Sequence, residues 1–406
     1  MSSGSLDEVP SLRQNRDFTL LWCGQAASAL GSSASGLAYP LLILAVSGSA
    51  VAAGAVGTAA GVVQIVFRIP GGALADRWNR RTLMLACDAL RIILLTGLGV
   101  LVLTDHASIA TIAAIAVANA LLGVTFEPAS MAAVSQLVPA RQLPQAFGAN
   151  EARSFTAGMA GPPLGGALFG LARAAPFIFD AVTYLVSLLT LLPIRRPLQG
   201  VRDPGPRISL LRQIGQGLAY VRASRFLRAV IAVYAFVDFA FTAALFAVVV
   251  ILNQAGSSPS TVGLAQGVIA AGGVLGALAA ARIQLLLPFR KLIITAVAIL
   301  TGCLAASAVL SGQLVMALPM TVALFLAPAL NAAIFSQLAI TTPEHLQGRV
   351  ISVVISSVGI VEAAAPLTAG LLITHQGGRA ALTATAISAA AALSIALRTG
   401  GLAHTR

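Results

Sequence analysis

Asp88, Arg91, Glu127, Glu151, Arg153, Asp238 and Glu362 all lie inside long apolar runs of a chain in which only 9% of residues are charged. Insertion of an Asp or Arg at the centre of a membrane helix costs about 2.5–3.5 kcal/mol, so each such residue needs a partner, a cavity or a task. Carboxylates and guanidinium groups in that setting can exchange protons, hold ions or pair with each other. They do not suggest covalent chemistry: HExxH, CxxC, Walker-type and GxSxG patterns are all missing from the sequence, and no cofactor or metal is implied. Cys23, Cys87 and Cys303 are isolated residues within apolar runs, which fits core filling better than a disulfide framework.

Spacing sorts these charges. Asp88 and Arg91 are three residues apart on one helix face and can neutralise each other, a structural role. Glu127 and Arg153 stand almost equally far from the loop between their two runs, so an antiparallel hairpin brings them to one depth, where they could pair. Glu151 falls on another face from Arg153 and has no evident partner. Asp238 and Glu362 lie near the middle of their runs, unpaired by any local residue. Glu362 is followed by Ala363-Ala364-Ala365-Pro366, small residues and a break that leave room for water. It is the first candidate for a protonation switch, with Asp238 and Glu151 next. The competing reading is structural, with each carboxylate bonded to backbone or hydroxyl groups.

The elements that carry these residues are membrane helices. The chain has 406 residues, 58% of them hydrophobic, and a mean hydropathy of +0.91. Apolar runs long enough to cross a bilayer recur along it, and backbone in lipid must satisfy its own hydrogen bonds. The expected fold is an all-α membrane protein with twelve spans, at 18–47, 51–75, 82–104, 108–134, 144–170, 174–194, 227–253, 260–284, 290–311, 314–340, 347–373 and 380–398. These form two six-helix bundles, 1–194 and 227–406, joined by a connector, 195–226. Of 25 Lys and Arg, 20 fall at the termini or in loops on the same side. Arg173 and Arg379 fall opposite, and Arg68, Arg91 and Arg153 lie inside spans. The positive-inside rule therefore places both termini in the cytoplasm, as expected of a multi-pass protein of the inner (plasma) membrane. The net charge of +12 reports topology, and nucleic-acid binding is excluded because the arginines scatter over many short loops.

In the connector, Ile208, Leu211, Ile214, Leu218 and Val221 recur at helical spacing opposite Arg212, Gln213, Gln216 and Arg222. This predicts an amphipathic helix on the membrane surface; a disordered basic linker is the alternative. The halves also echo each other: Gly72-Ala-Leu-Ala recurs as Gly276-Ala-Leu-Ala, and Ser135-Gln-Leu as Ser336-Gln-Leu. Duplicated halves are common in transporters. Asp180, near the outer end of span 6, is expected to be solvated or capping.

Charges also collect in one knot, GGALADRWNRR at 71–81, between spans 2 and 3. Gly72-x-Leu74-Ala75-Asp76-Arg77-x-x-Arg80-Arg81 resembles the loop signature of the major facilitator superfamily. Asn79 stands where that family has glycine, a change tolerable in a left-handed turn. Gly161-Pro162-x-x-Gly165-Gly166 in span 5 resembles the motif of its exporting branches. Phe18-x-x-Leu21-Trp22-x-Gly24-Gln25 and Asp88-x-x-Arg91 are similar to the twelve-helix efflux group that includes macrolide and siderophore exporters. Gly71 and Gly72 let a neighbouring helix approach. The resemblance implies that Asp76 reaches the start of span 11, latching the halves in an outward-facing state, with Arg349 as a cationic partner and Asp88 and Arg91 extending the latch. A plain topology anchor made by Arg77, Arg80 and Arg81 is the simpler reading. Span 4 lacks the arginine many drug–proton antiporters carry, and Ser32 stands where many relatives have an acidic residue. The implied function is proton-driven export of a small amphipathic compound by a monomer in lipid, with small solute and protons as partners. Import on the same fold is the rival, and a receptor or enzyme is disfavoured.

Overall fold

The computed structural model describes residues 12–194, 196, 198–199, 210–310 and 314–398. Every regular element among them is helical. The first six long helices are α1 (Arg16–Ser47), α2 (Ala50–Arg77), α3 (Arg80–Leu103), α4 (Ile109–Leu137), α5 (Leu143–Leu171) and α6 (Ala175–Leu191). A connector helix, α7 (Leu210–Ala223), follows. Then come α8 (Arg225–Gln254), α9 (Pro259–Leu286), α10 (Phe289–Val309), α11 (Ala317–Phe325), α12 (Ala327–Thr341), α13 (Glu344–Ala363), α14 (Ala365–Gln376) and α15 (Gly378–Arg398). Ten segments are long and apolar enough to cross a membrane, taking α11–α12 and α13–α14 as single segments. Helix α5, rich in Gly and Pro, falls outside that set, and α6 has 17 residues. With those two the segments number twelve.

Local chemistry sets the ends. Ser49, Ser108, Ser224 and Ser258 cap the starts of α2, α4, α8 and α9 with side-chain oxygens that accept a backbone N–H. Proline acts according to position. Pro328 and Pro366 break the tenth and eleventh segments into half-helices, whereas Pro128, Pro162 and Pro163 are absorbed inside continuous helices. Asn79 corrects the sequence reading. Its backbone is extended (φ −66°, ψ 116°), and its side chain accepts from Thr82 N at 3.2 Å as the cap of α3.

Helices α1–α6 pack on one another, as do α8–α15. The groups meet chiefly through α5 against α9 and α2 against α14. Segment 5 thus meets segment 8, and segment 2 meets segment 11, the pairing a two-fold relation between halves would produce. At the end remote from the termini, one apolar cluster runs through both halves, from Leu41 and Phe177 to Val248, Ile269 and Met320. At the termini end the core splits into two: one holds Leu21, Met84 and Leu137, the other Leu227, Ile334 and Val354. The molecule is therefore closed at one end and parted at the other.

The connector helix exists, but what is described of its apolar face meets protein. Val221 is buried, Gly217 lies against the backbone of Arg349, and Tyr220 donates to Thr341 O at 2.9 Å. Leu211 and Ile214 have side chains outside the described set, and Ile208 falls in the undescribed segment.

Candidate functional site

Between the halves lies a cavity of about 870 Å³. Its first-half wall carries Arg68, Arg91, Glu127 and Arg153 with Gln25 and Ser130; its second-half wall carries Asp238, Thr242 and Glu362. All three arginines found inside spans therefore face one space, and Arg68 is exposed.

The closed end is built by backbone contact. A side chain at Gly165 would run into the carbonyl oxygen of Ala34 in α1, and one at Gly161 into Ser33. Gly166 and Gly263 bring α5 and α9 together so closely that a Cβ on either would strike the other helix, at Pro259 O or Pro162 O. The Gly161-Pro162-x-x-Gly165-Gly166 motif thus binds α5 to α1 within its own half and to α9 across the cavity. Small residues do this in membranes because lipid offers helices little hydrophobic reward for associating.

On the first-half wall, Gln25 of α1 lies between α4 and α5. It is 5% exposed, donates to Ser130 Oγ and accepts from Arg153 Nη1. The expected Glu127–Arg153 pair does not form. The two residues share the cavity, but α1 packs along α5 and its Gln25 takes the guanidinium. Glu151 is exposed and is not among the cavity-lining residues. Asp88 and Arg91 also fail to pair. Asp88 accepts from Ser187 Oγ of α6 at 2.7 Å, while Arg91 turns towards α4 and donates to Asn119 O at 3.5 Å. Its guanidinium carbon lies 4.8 Å from the Tyr184 ring centroid and 5.7 Å from that of Phe126. Gly123 makes room for it: a Cβ there would stand 2.7 Å from Arg91 Nη2.

On the second-half wall, Tyr234, Asp238 and Thr242 follow at four-residue intervals along α8. Thr242 Oγ1 donates to Glu362 Oε1 at 3.1 Å, so a partner from another helix meets the carboxylate that lacks one on its own. Asp238 is one helical turn from that hydroxyl, which brings both expected carboxylates to one patch. Neither forms an ion pair with a described cation.

The knot divides its work. Gly71 packs against α4, with a would-be Cβ 2.8 Å from Val124 O, but Gly72 faces open space. Arg80 Nη1 donates to Leu198 O at 3.0 Å and Arg81 Nη2 to Leu192 O at 2.5 Å, tying the start of α3 to the end of α6. Cations at a helix C-terminus are favoured by the dipole there. Arg77 is exposed. The side chain of Asp76, the centre of the expected latch, lies outside the described residues. Arg349, expected beside it, donates to Gln216 Oε1 of α7 at 2.5 Å.

Gln25, Thr242 and Asn119 are among the cavity residues that escaped the sequence reading. Gln25 was visible as part of a motif, but nothing in one sequence signals its bridging role. Thr242 is one hydroxyl among many, and Asn119 acts through its carbonyl.

Comparison with known proteins places this geometry. The Major Facilitator Superfamily profile matches residues 21–366. A multidrug efflux pump, Tap of Mycolicibacterium fortuitum, is 28% identical over 355 residues, covering 83% of each chain. Among solved structures, an inward-facing bacterial homologue of the human lysosomal transporter Spinster superposes with a TM-score of 0.75 at 16% identity, covering 96% of this chain and 97% of that one. The nucleoside transporter NupG gives 0.74 at 11% identity, covering 95% and 98%. A bacterial homologue of the iron transporter ferroportin gives 0.68 at 13%, covering 96% and 99%.

Proposed function

The chain belongs to the major facilitator superfamily, and from that premise we propose that it exports a small amphipathic compound, hydrophobic or cationic, in exchange for inward-flowing protons. The observation that carries the reading is the cavity's second-half wall, where Asp238 and Glu362 share one patch with a single hydroxyl partner and no ion-paired cation. A cationic solute and a proton would compete for that patch, which is the elementary requirement of antiport. The efflux pump among its relatives supports the outward direction. The arginine bias supports cytoplasmic termini in the plasma membrane. With that orientation the parted end faces the cytoplasm, the side from which an exporter takes up its solute. The chain works as a monomer surrounded by lipid. Its two bundles, 1–194 and 227–406, rock about the closed end while 195–226 follows.

Reconstituted vesicles test this. With an imposed pH gradient, the wild type accumulates a lipophilic cationic dye against its gradient. Glu362→Gln abolishes accumulation while retaining downhill exchange. If Glu362→Gln, Asp238→Asn and the double variant all pump like wild type, antiport through this wall is wrong.

A further inference from the structure

A second set of buried charges lies behind the first-half wall, outside the cavity lining except for Arg91. Asp180 was expected to be solvated or capping, yet it is 0% exposed. Ser35 Oγ donates to its Oδ2 at 2.5 Å, and Thr183 and Ser32 hydroxyls lie 3.4 Å from its Oδ1. Asp180, Tyr184 and Ser187 follow at i, i+4 and i+7 on one face of α6, covering about 10 Å along the axis. Asp88, also 0% exposed, receives its hydrogen bond from Ser187, the far member of that row. Arg91 lies over Tyr184, between the two carboxylates, and forms a direct ion pair with neither. Two carboxylates thus share one guanidinium.

The remaining hydrogen-bond capacity points the same way. Asp88 Oδ1 and Arg91 Nε are buried and have no partner. A fully ionised column would carry a net negative charge on two fully buried carboxylates, one oxygen of which is unsatisfied. One proton makes the column neutral and removes that cost. A route to it exists. Tyr184 and Ser32 both line the cavity, and their hydroxyls are 2.7 Å apart. Ser32 Oγ has one proton and a choice of acceptors, Ser28 O at 2.7 Å and Asp180 Oδ1 at 3.4 Å.

We propose that Asp88, Arg91 and Asp180 form a proton site in the first half, holding one exchangeable proton that arrives from the cavity through Tyr184 and Ser32. Tyr184 takes a proton from hydronium in the cavity, leaving water, and passes its own to Ser32 Oγ; Ser32 passes its own to Asp180 Oδ1. Each hydroxyl ends as it began, and the carboxylate gains the proton. The titratable and charged groups facing Asp180 are Tyr39 from α1, Arg91 from α3 and Tyr184 on α6 itself; Asp88 connects to them through Arg91 and Ser187. Helix α5 also touches α6, but its Glu151 and Arg153 belong to the half nearer the termini. The site goes beyond the antiport reading and stands on the column alone.

The test is infrared spectroscopy of the purified full chain in lipid nanodiscs, following the carbonyl band of protonated carboxyls as pH rises. The background variant Glu127→Gln/Asp238→Asn/Glu362→Gln removes the contribution of the cavity-lining carboxylates. It should retain a titrating band equivalent to one carboxyl, and adding Asp180→Asn or Asp88→Asn should remove that band. A background without the band, or a band that survives both additions, overturns the site. Where an aspartate variant fails to fold, Tyr184→Phe keeps the ring beside Arg91 and cuts the route. Protonation after a pH jump should slow about tenfold or more, the effect of about 1.4 kcal/mol on a barrier. An unchanged rate overturns the route. Antiport intact with no band in the background would remove this site alone; a band that persists when no variant responds to a pH gradient would remove the antiport reading alone.

Discussion

The two walls of the cavity differ in kind. On the first-half side the charges are mostly guanidinium groups held by neutral partners: Arg153 by Gln25, Arg91 by the Asn119 carbonyl and two aromatic rings. On the second-half side they are carboxylates held by a single threonine. Arginine keeps its proton under all ordinary conditions, so the guanidinium charges of this wall are fixed, and Glu127 is the one carboxylate beside them. A carboxylate in a cavity can lose its charge by binding a proton, so the other wall can change. The contrast separates two jobs that one charged cavity might be thought to share. On the proposed antiport reading, the guanidinium wall shapes the space and the carboxylate wall would couple it to pH.

The largest expected effect follows from that division. Binding of a cation to the second-half wall requires the carboxylates ionised, so protons compete and affinity falls as pH falls. A site that exchanges one proton per cation loses about tenfold in affinity per pH unit on its acid limb. Asp238→Asn/Glu362→Gln should flatten that slope, measured by titrating a fluorescent lipophilic cation against protein in nanodiscs. Arg153→Gln should change the affinity yet leave the slope intact. If the slope survives the double variant and disappears with Arg153→Gln, the two walls have been assigned the wrong way round.

A smaller effect probes how the fixed wall is held. Gln25 links Arg153 to Ser130 by side-chain hydrogen bonds. Gln25→Leu removes a charge-assisted hydrogen bond and leaves the guanidinium without it, a loss of about 1.5–3 kcal/mol. The melting temperature in detergent should fall. Gln25→Leu/Arg153→Met, which also removes the stranded charge, should recover most of the loss. A double variant less stable than the single would mean that Arg153 has other support.

Much of the frame was legible in the residues. The segments follow from run length, because lipid permits only self-satisfied backbone, and most of their ends fall within a few residues of the expected ones. The depth of each charge was legible too, which is why Glu127, Arg153, Asp238 and Glu362 line one cavity. Neighbour relations were not. Chain order makes α4 and α5 a hairpin, but α1 packs along α5 and its Gln25 comes between them, so equal depth did not become contact. Likewise Asp88 and Arg91 share a helix face, but one turns to Ser187 and the other to the cavity. Asn79 shows the same limit at short range: departure from a family glycine suggested a left-handed turn, whereas the local sequence made it a helix cap.

The two ends of α2 sharpen the contrast between closed and parted regions, and a modest effect tests it. Gly54 lies against Pro366 O in the closed end, whereas Gly72 has open space around it. Gly72→Leu should leave stability within about 0.5 kcal/mol, as surface changes usually do. It should nevertheless favour the state parted at the termini end, if that glycine is covered whenever the cavity closes there. Cysteine labelling from the two sides of the membrane reads the balance. An unchanged balance would reduce the knot to a topology anchor.

The smallest effect belongs to the single bond that holds the variable wall. Thr242 Oγ1 donates to Glu362 Oε1 at 3.1 Å, an interaction that favours the ionised carboxylate over the protonated one. Thr242→Val conserves shape and removes the donor, at a net cost of about 0.5–1.5 kcal/mol. The ionised form loses that support, so the proton competes better and cation affinity should fall several-fold at mildly acid pH. At alkaline pH, where the wall is ionised in either protein, the two affinities should converge. The slope with pH should persist, because both carboxylates remain. That pattern distinguishes a tuning residue from a coupling residue: Thr242→Val moves the curve, and Asp238→Asn/Glu362→Gln flattens it. A Thr242→Val curve that superposes on wild type at every pH would mean that this hydroxyl does not discriminate between the two states of Glu362, and the variable wall would then be set by Asp238 and the cavity water alone.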